Sequence, residues 1–368
     1  MADLLAALYA RAAPQVGIDL GTANTPVFVS GHGVRFVEPT MVAVDVDANE
    51  IIAVGEGARQ MLGRTPRNIS VIRPMRNGVV SNFKYTEALV RQLLNRALRG
   101  RPLIPPRVLV GIPASASEVE KKAVREAARG AGAGRVYFVS QAVAAAVGAG
   151  LPIREPHASM IVDIGGGTTE IAIISLSGVV VGRSLKLGGD RLDEVVAAYI
   201  RTTRNFHIGE RTAEALKISH GYYGTPAGRP AIKVAGQDMR RLQPGTFEVG
   251  EEDIGAAIAE PLEQIVDSIR AVLEQTPPEL ARDIAERGLV LAGGGAAIAG
   301  LAQTLNAVLG IPVRVADDAM LCVALGTGEI LRDRKLFNEL FPPSQSLIGR
   351  WWRSIRFGTR ENRSYSSP

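Results

Sequence analysis

The chain has 368 residues, 46% hydrophobic and 21% charged, with 40 glycines and 21 prolines: a folded, loop-rich α/β composition of about two ordinary domains rather than a disordered or fibrous one. One cysteine excludes a disulfide framework, four scattered histidines lack metal-ligand spacing, and no run approaches the ~18–20 apolar residues of a spanning helix. The net charge of +5 belongs to the end of the chain: residues 332–368 hold eight of the 42 Lys/Arg and three of the 37 Asp/Glu, leaving 34 of each elsewhere, which argues against a nucleic-acid-binding core.

At the start, Ala2–Ala12 puts Leu4, Leu5, Leu8 and Tyr9 on one face, an amphipathic segment short enough to fray. It has no Lys or Arg ahead of its apolar stretch and carries Asp3 there, so it does not read as a secretion signal. Next comes Val16-Gly17-Ile18-Asp19-Leu20-Gly21-Thr22-Ala23-Asn24-Thr25, an apolar strand, an Asp and a Gly/Thr turn, followed by the apolar run Val27-Phe28-Val29. This predicts a β-hairpin with a glycine- and threonine-rich turn. Pro26 follows the turn directly, and it either stiffens the loop exit or costs one ladder bond.

Gly100-Arg-Pro-Leu-Ile-Pro-Pro-Arg107 places Leu103 and Ile104 at the tip of a proline-braced loop, either tucked into the core or exposed for a purpose. Val108–Ile112 reads as a strand, and Ser117-Glu-Val-Glu120 as a capping box opening a helix through Ala128. Val136–Val139 is a further strand, followed by Ser140-Gln141-Ala142 and an Ala-rich helix over Ala142–Val147. The alternation predicts mixed sheets flanked by helices, repeated in both halves.

The first hairpin then recurs. Ile161-Val162-Asp163-Ile164-Gly165-Gly166-Gly167-Thr168-Thr169-Glu170, with Ile171–Ile174 after it, repeats the device 144 residues on, counting Asp19 to Asp163. Glycines let backbone N–H groups crowd a polyanion, Thr hydroxyls add donors, and an Asp ending each first strand can hold Mg²⁺ through water. An Asp before glycine can also simply cap its own turn; the pair of hairpins favours a clamp on phosphates. Glu210, Glu214 and Lys217 share one face of a helical pattern, which by itself reads as a solvated face with Glu214 and Lys217 as an i, i+3 charge pair. Leu289–Ala292 is a buried-type strand leading into Gly293-Gly294-Gly295-Ala296, where the chain can approach a flat purine and its ribose closely. Cys322 lies in an apolar run and reads as a buried thiol of a reducing cytoplasm.

After Pro342-Pro343, a helix over 347–357 would gather Leu347, Ile348, Trp351, Trp352 and Ile355 within an arc of about 140°, with Arg350, Arg353 and Arg356 opposite. Phe357 falls among the arginines and Gly349 weakens the helix. The split of Trp and Arg describes an interfacial membrane anchor, or else a helix docked on protein.

Together these stretches resemble the actin, Hsp70 and sugar-kinase ATPases, and within them the bacterial actin MreB and its Mbl-type paralogues. The resemblance rests on Gly17-Ile-Asp-Leu-Gly-Thr-Ala-Asn-Thr25, Met61-Leu-Gly-Arg-Thr-Pro66, Val162-Asp-Ile-Gly-Gly-Gly-Thr-Thr-Glu170, Ile208-Gly-Glu-Arg-Thr-Ala-Glu214, Leu291-Ala-Gly-Gly-Gly295 and Cys322-Val-Ala-Leu-Gly-Thr-Gly328, in order over residues 15–331. It implies an actin-like α/β fold of two related domains around a nucleotide cleft, each with a small inserted subdomain. Domain I would take 15–145 (insertion 33–76), completed by 318–335; domain II would take 146–317 (insertion 185–248), with 1–14 and 336–368 as appended segments.

The resemblance also implies the ligand, ATP with Mg²⁺. Asp19 and Asp163 would hold the ion; Gly21, Thr22, Ala23, Asn24, Gly165, Gly166, Gly167 and Thr168 would cradle phosphates; Glu210, Glu214, Lys217 and Gly293–Ala296 would face adenosine. MreB proteins typically carry Glu-Glu-Pro where this chain has Ser140-Gln141-Ala142, so the residue that handles the attacking water is Gln141, helped by Thr168. Glutamine places a water but cannot take its proton; eukaryotic actin has Gln in a similar Gln-Ala-Val context, so slow hydrolysis is expected. MreB relatives insert an apolar pair from the Leu103–Ile104 loop into the inner face of the cytoplasmic membrane.

The implied function is a cytoplasmic, membrane-peripheral cytoskeletal protein that forms filaments with itself, works with other MreB-type proteins and the cell-wall synthesis machinery, and shapes the cell. A degenerate paralogue that regulates another MreB filament is the main alternative. A sugar kinase would need a catalytic Asp that Gly111-Ile-Pro-Ala-Ser115 lacks, and an Hsp70-like chaperone would need a peptide-binding domain after residue 331.

Overall fold

The computed structural model describes residues 9, 12–100 and 102–342, so the anchor proposed at Leu347, Ile348, Trp351, Trp352 and Ile355, and Leu4, Leu5 and Leu8 of the amphipathic start, lie outside the described residues. The chain opens with β1 (Gln15–Asp19), β2 (Asn24–Val29) and β3 (Gly33–Pro39), an antiparallel meander. A small insertion follows: β4 (Val42–Asp45), β5 (Glu50–Val54), α1 (Glu56–Met61), β6 (Ile69–Ile72) and the two-residue ladder β7 (Met75–Arg76) and β8 (Val79–Val80). Then come α2 (Phe83–Leu98), β9 (Arg107–Ile112), α3 (Glu118–Gly130), β10 (Arg135–Ser140) and α4 (Gln141–Gly148). The capping box at Ser117 is formed, its hydroxyl accepting from the Glu120 N–H while the Glu120 carboxylate accepts from the Ser117 N–H.

The second half repeats the plan with β11 (Ser159–Ile164), β12 (Thr169–Ser175) and β13 (Gly178–Leu185). Its insertion holds α5 (Gly189–Arg204), β14 (Phe206–His207), α6 (Glu210–His220), β15 (Ile232–Asp238) and β16 (Gln243–Val249). The chain ends with α7 (Glu251–Glu274), α8 (Pro278–Arg287), β17 (Leu289–Ala292), α9 (Leu301–Leu309), β18 (Val313–Val315), α10 (Cys322–Arg332) and α11 (Arg334–Leu340). Among the described residues no helix is long and apolar enough to cross a membrane.

The two main sheets share one topology. The order β3-β2-β1-β9-β10 of the first matches β13-β12-β11-β17-β18 of the second, with parallel pairing beyond the central strand in each. Successive side chains of a strand serve opposite faces, and the cores follow that alternation. Val108 and Val110 pack outward with Leu89 and Leu93 of α2, whereas Leu109 points inward. Met160, Val162 and Ile164 face α5 and α7, whereas Ile161 joins Leu109 in a core shared by both sheets. Between the sheets α4 and α10 cross so closely that a Cβ on Gly326 would stand 1.8 Å from the Ala144 carbonyl oxygen, and one on Gly148 would stand 1.9 Å from that of Cys322. Helix α10 also lies on the first sheet, where Gly17 makes room for Thr327 and Gly328 for the Phe28 ring.

Candidate functional site

Both repeated turns come to the same place. β1 ends at Asp19, the Gly21 N–H donates to the Asp19 carbonyl at 2.9 Å, and a Cβ on Gly21 would meet the Asn24 carbonyl at 2.4 Å. β11 ends beyond Asp163, and the Gly165 N–H donates to the Thr168 carbonyl at 2.8 Å. The turns then press against each other: a Cβ on Gly166 would lie 2.7 Å from the Ala23 Cβ, and one on Gly167 would lie 2.3 Å from the Thr22 Oγ1. Thr22 Oγ1 is held in turn by the Gly78 N–H at 3.0 Å. Only glycine permits this approach, which brings the turns of both halves to one space.

That space is a cavity of about 270 Å³. Its lining includes Asp19, Gly21, Thr22, Ala23, Asn24, Gln141, Asp163, Gly165, Gly166, Gly167, Thr168, Glu214, Lys217, Gly293, Gly294 and Gly295. Two candidates stand apart from it. Glu210 pairs with Arg73, and Ala296 is buried in the turn after β17 with Ala297 and Ile298 on the wall instead. Pro26 also lines the cavity; β1 pairs with β2 only as far as Val27, so the proline falls past the last pair on that side.

Sequence reasoning missed the N-terminus of α5. The Gly189 and Asp190 N–H groups donate to the Gly165 and Gly166 carbonyls at 2.9 and 2.8 Å, which docks this helix start on the second turn. Gly189, Asp190, Leu192 and Asp193 thereby line the cavity. The Leu187-Gly188-Gly189-Asp190 run was the available clue, since a Cβ on Gly188 would stand 2.5 Å from the Gly165 carbonyl.

The floor is acidic. Burial lifts the Asp19 carboxyl to about 6, against a hydrogen bond from Gln141 Nε2 to its Oδ1 at 3.0 Å. Asp163 lies well above the ordinary carboxylate range through burial, then through the neighbouring Asp19 and Glu170. Asp19 disfavours the ionisation of Asp163, and two such close carboxylates form a site that a divalent cation would neutralise. Among the described residues no cluster of three His, Cys, Asp or Glu side chains suits a metal, so such an ion would need oxygens from a ligand as well. Burial also lifts Glu170 to about 7, against bonds from the Ser184 hydroxyl and the Ala114 N–H, the latter at 3.1 Å.

The rim carries a cross-cleft ion cluster. Lys217 Nζ sits 2.8 Å from Asp193 Oδ1 and donates to the Gly189 carbonyl at 3.1 Å. From the first half, Arg73 reaches over to Glu210 and lies 3.8 Å from Asp190. It therefore fastens α5 and α6 to the segment between β6 and β7. Arg73→Ala should speed release of a ligand held in the cavity roughly fivefold, the low end of a coupling between sites. Stopped-flow dissociation at the wild-type rate would show that the bridge does not hold the cleft.

The profile of the family described as MreB/Mbl protein matches residues 13–339. The chain is 46% identical over 323 residues to the cell shape-determining protein MreB of Escherichia coli (strain K12), covering 86% of this chain and 92% of that protein. It is 43% identical over 319 residues to the cell shape-determining protein Mbl of Bacillus subtilis (strain 168), covering 87% and 96%. Among solved structures it is similar to MreB5 of Spiroplasma citri bound to ADP, with a TM-score of 0.84 at 32% identity, covering 90% of this chain and 99% of that one.

Proposed function

This chain belongs to the MreB/Mbl family, and we propose that it is a cell shape-determining, actin-like protein that binds ATP in the cleft, assembles into filaments beneath the cytoplasmic membrane and organises cell-wall synthesis. The observation that carries the nucleotide part is the contact of the two glycine turns above the Asp19–Asp163 floor. The turns would take the phosphates, and Gly293–Gly295 with Glu214, Lys217 and Ile218 would wall the nucleoside. Mg²⁺, held by Asp19 and Asp163 through water, would supply positive charge against the phosphates. Gln141 and Thr168 would position water, Gln141 without removing its proton, so turnover is slow. The division into domains I and II at residues 145–146, with the return at 318–335, belongs to the same proposal.

Membrane attachment is supported by Leu103, which is 104% exposed, and Ile104, which is 37% exposed. Large aliphatics on a loop tip pay for their hydration unless another phase covers them. The basic, Trp-bearing tail would add a second contact. On lipid monolayers with ATP, negative-stain microscopy should show sheets or paired filaments. Dispersed monomers would favour the alternative, a nucleotide-binding regulator of another filament. A version ending at Pro343, which lacks five arginines and both tryptophans, should sediment less with anionic liposomes than the full chain. Equal sedimentation would move the whole contact to the loop.

A further inference from the structure

The step of 144 residues that carries Asp19 to Asp163 also carries Pro26 to Glu170. Glu170 stands opposite Asp163 across the β11–β12 ladder, and Pro26 takes the matching place in the first hairpin, one residue beyond the pair Ile18–Val27. The first half therefore has no acid at this position. The acid of the second half is 1% exposed and lies outside the cavity lining. Its carboxyl reaches across to the first half instead. Ala114, in the loop that follows β9, donates its N–H to Glu170 Oε2 at 3.1 Å, and Ser184 of β13 donates its hydroxyl to Oε1. With the Ser184 proton on Glu170, the Ser115 hydroxyl, 3.0 Å from Ser184 Oγ, donates in its turn. Two consecutive residues of the first half thus end on one buried acid and its serine neighbour.

The same loop is wedged against both glycine turns. A Cβ on Gly78 would stand 2.3 Å from Pro113 Cγ and 3.2 Å from Thr168 Cγ2, and the Gly78 N–H holds Thr22. Thr22, Gly78, Pro113, Ala114 and Glu170 therefore form a seam that runs behind the first turn to the strand leaving the second. The turns cannot part along this seam without drawing Ala114 and Ser115 off Glu170 and Ser184. Arg73 bridges the rim to a Glu210 that is largely in solvent, where a pair is weak. The Glu170 contact is buried, where a bond left unmade costs most.

We propose that Glu170 is a latch between the halves, a positioning residue that holds the loop of residues 113–115 beside the second glycine turn and thereby sets how fast a bound nucleotide leaves. The inference rests on the nucleotide reading above and deepens it: the turns hold the ligand, and the latch holds the turns together. A ligand pressed between two turns leaves fastest when they part, so the strength of the seam governs its escape.

The test is release of a fluorescent ATP analogue from the full chain in Mg²⁺, chased with excess ATP. Glu170→Ala should speed release about tenfold, within the ordinary range of coupling between sites. Glu170→Gln keeps both contacts: its Oε1 accepts from the Ala114 N–H, and its Nε2 donates to Ser184, whose hydroxyl then turns to Ser115. Its release should stay within about twofold of wild type. A glutamine variant as fast as the alanine would make the charge beside Asp163 the cause and overturn the latch. Ser115→Cys with Ser184→Cys sets two thiols where hydroxyls lie 3.0 Å apart, and the native Cys322 is buried, so mild oxidation should join the new pair alone. Oxidised after loading, this variant should retain the analogue roughly tenfold longer than when reduced, and dithiothreitol should restore release. Cysteines that do not join, or a joined pair that releases at the reduced protein's rate, would show that the halves do not part here. A wild type that takes up no analogue would end the nucleotide reading and this inference with it. Uptake with unchanged release in every variant would end the latch alone.

Discussion

Asp163→Asn should weaken Mg-ATP binding by about ten- to a hundredfold, the worth of a charge-assisted contact, and yet leave the nucleotide-free protein at least as stable as wild type. The two effects run in opposite directions for one reason. The Asp163 carboxyl is held well above its ordinary range by burial, by Asp19 and by Glu170. A carboxyl with a raised folded pKa binds more protons in the native state than in the unfolded one. Stability therefore falls as pH rises through the window between the two values. At pH 7 wild type carries that penalty, and the asparagine does not. Asp19 behaves alike, its window running from 3.8 to about 6. A cation binds the ionised form and releases the proton, so Mg-ATP affinity should decline as pH drops below about 6. Thermal unfolding with and without Mg-ATP, alongside calorimetry, reads both quantities. An Asp163→Asn protein that is less stable alone but binds Mg-ATP normally would make this carboxyl a turn cap and nothing more.

That alternative was open in the sequence because an Asp before a Gly/Thr turn looks the same in either role. Period-2 patterning and the glycine spacing made both hairpins legible, and with them the duplicated plan. The contact between the turns was not legible, since it depends on where α4 and α10 set the two sheets. The third glycine cluster shows the same limit. Gly293–Gly295 reach the cavity, but the following 3-10 turn swings Ala296 into the core and brings Ala297 to the wall, a one-residue phase that no pattern in Ala296-Ala297-Ile298 reveals. Glu210 shares a helix face with Glu214 and Lys217, as its spacing predicts, and the structure gives it to Arg73, a partner 137 residues away. Leu103 was ambiguous between core and solvent for a similar reason. Only the fold shows that Pro106 is buried behind the tip and leaves Leu103 outside.

Gln141 should set the rate of hydrolysis, and the expected order at saturating ATP is Gln141→Glu above wild type above Gln141→Ala. Its side chain is buried at the start of α4, next to Gly111, and donates from Nε2 to Asp19 at 3.0 Å. An amide there can orient a water through its oxygen while its nitrogen is spent on Asp19. A carboxylate would add a proton acceptor, worth ~10²–10⁴-fold where base assistance is fully expressed. The gain should reach only about tenfold, because positioning and charge dominate phosphoryl transfer. The glutamate also loses the donor to Asp19 and sets a like charge against it. Both carboxyls then hold protons more tightly, and the empty cleft of Gln141→Glu should lose stability as pH rises from 5 towards 7, roughly the span of a raised carboxyl pair. Bound Mg²⁺ should reverse that loss. The rate of Gln141→Glu should rise with pH through the same interval, whereas that of Gln141→Ala should stay flat. Phosphate release measured across pH, with filament mass held equal by sedimentation, separates chemistry from assembly. Three equal rates would show that the water is placed by other groups, with Thr168 the first to examine.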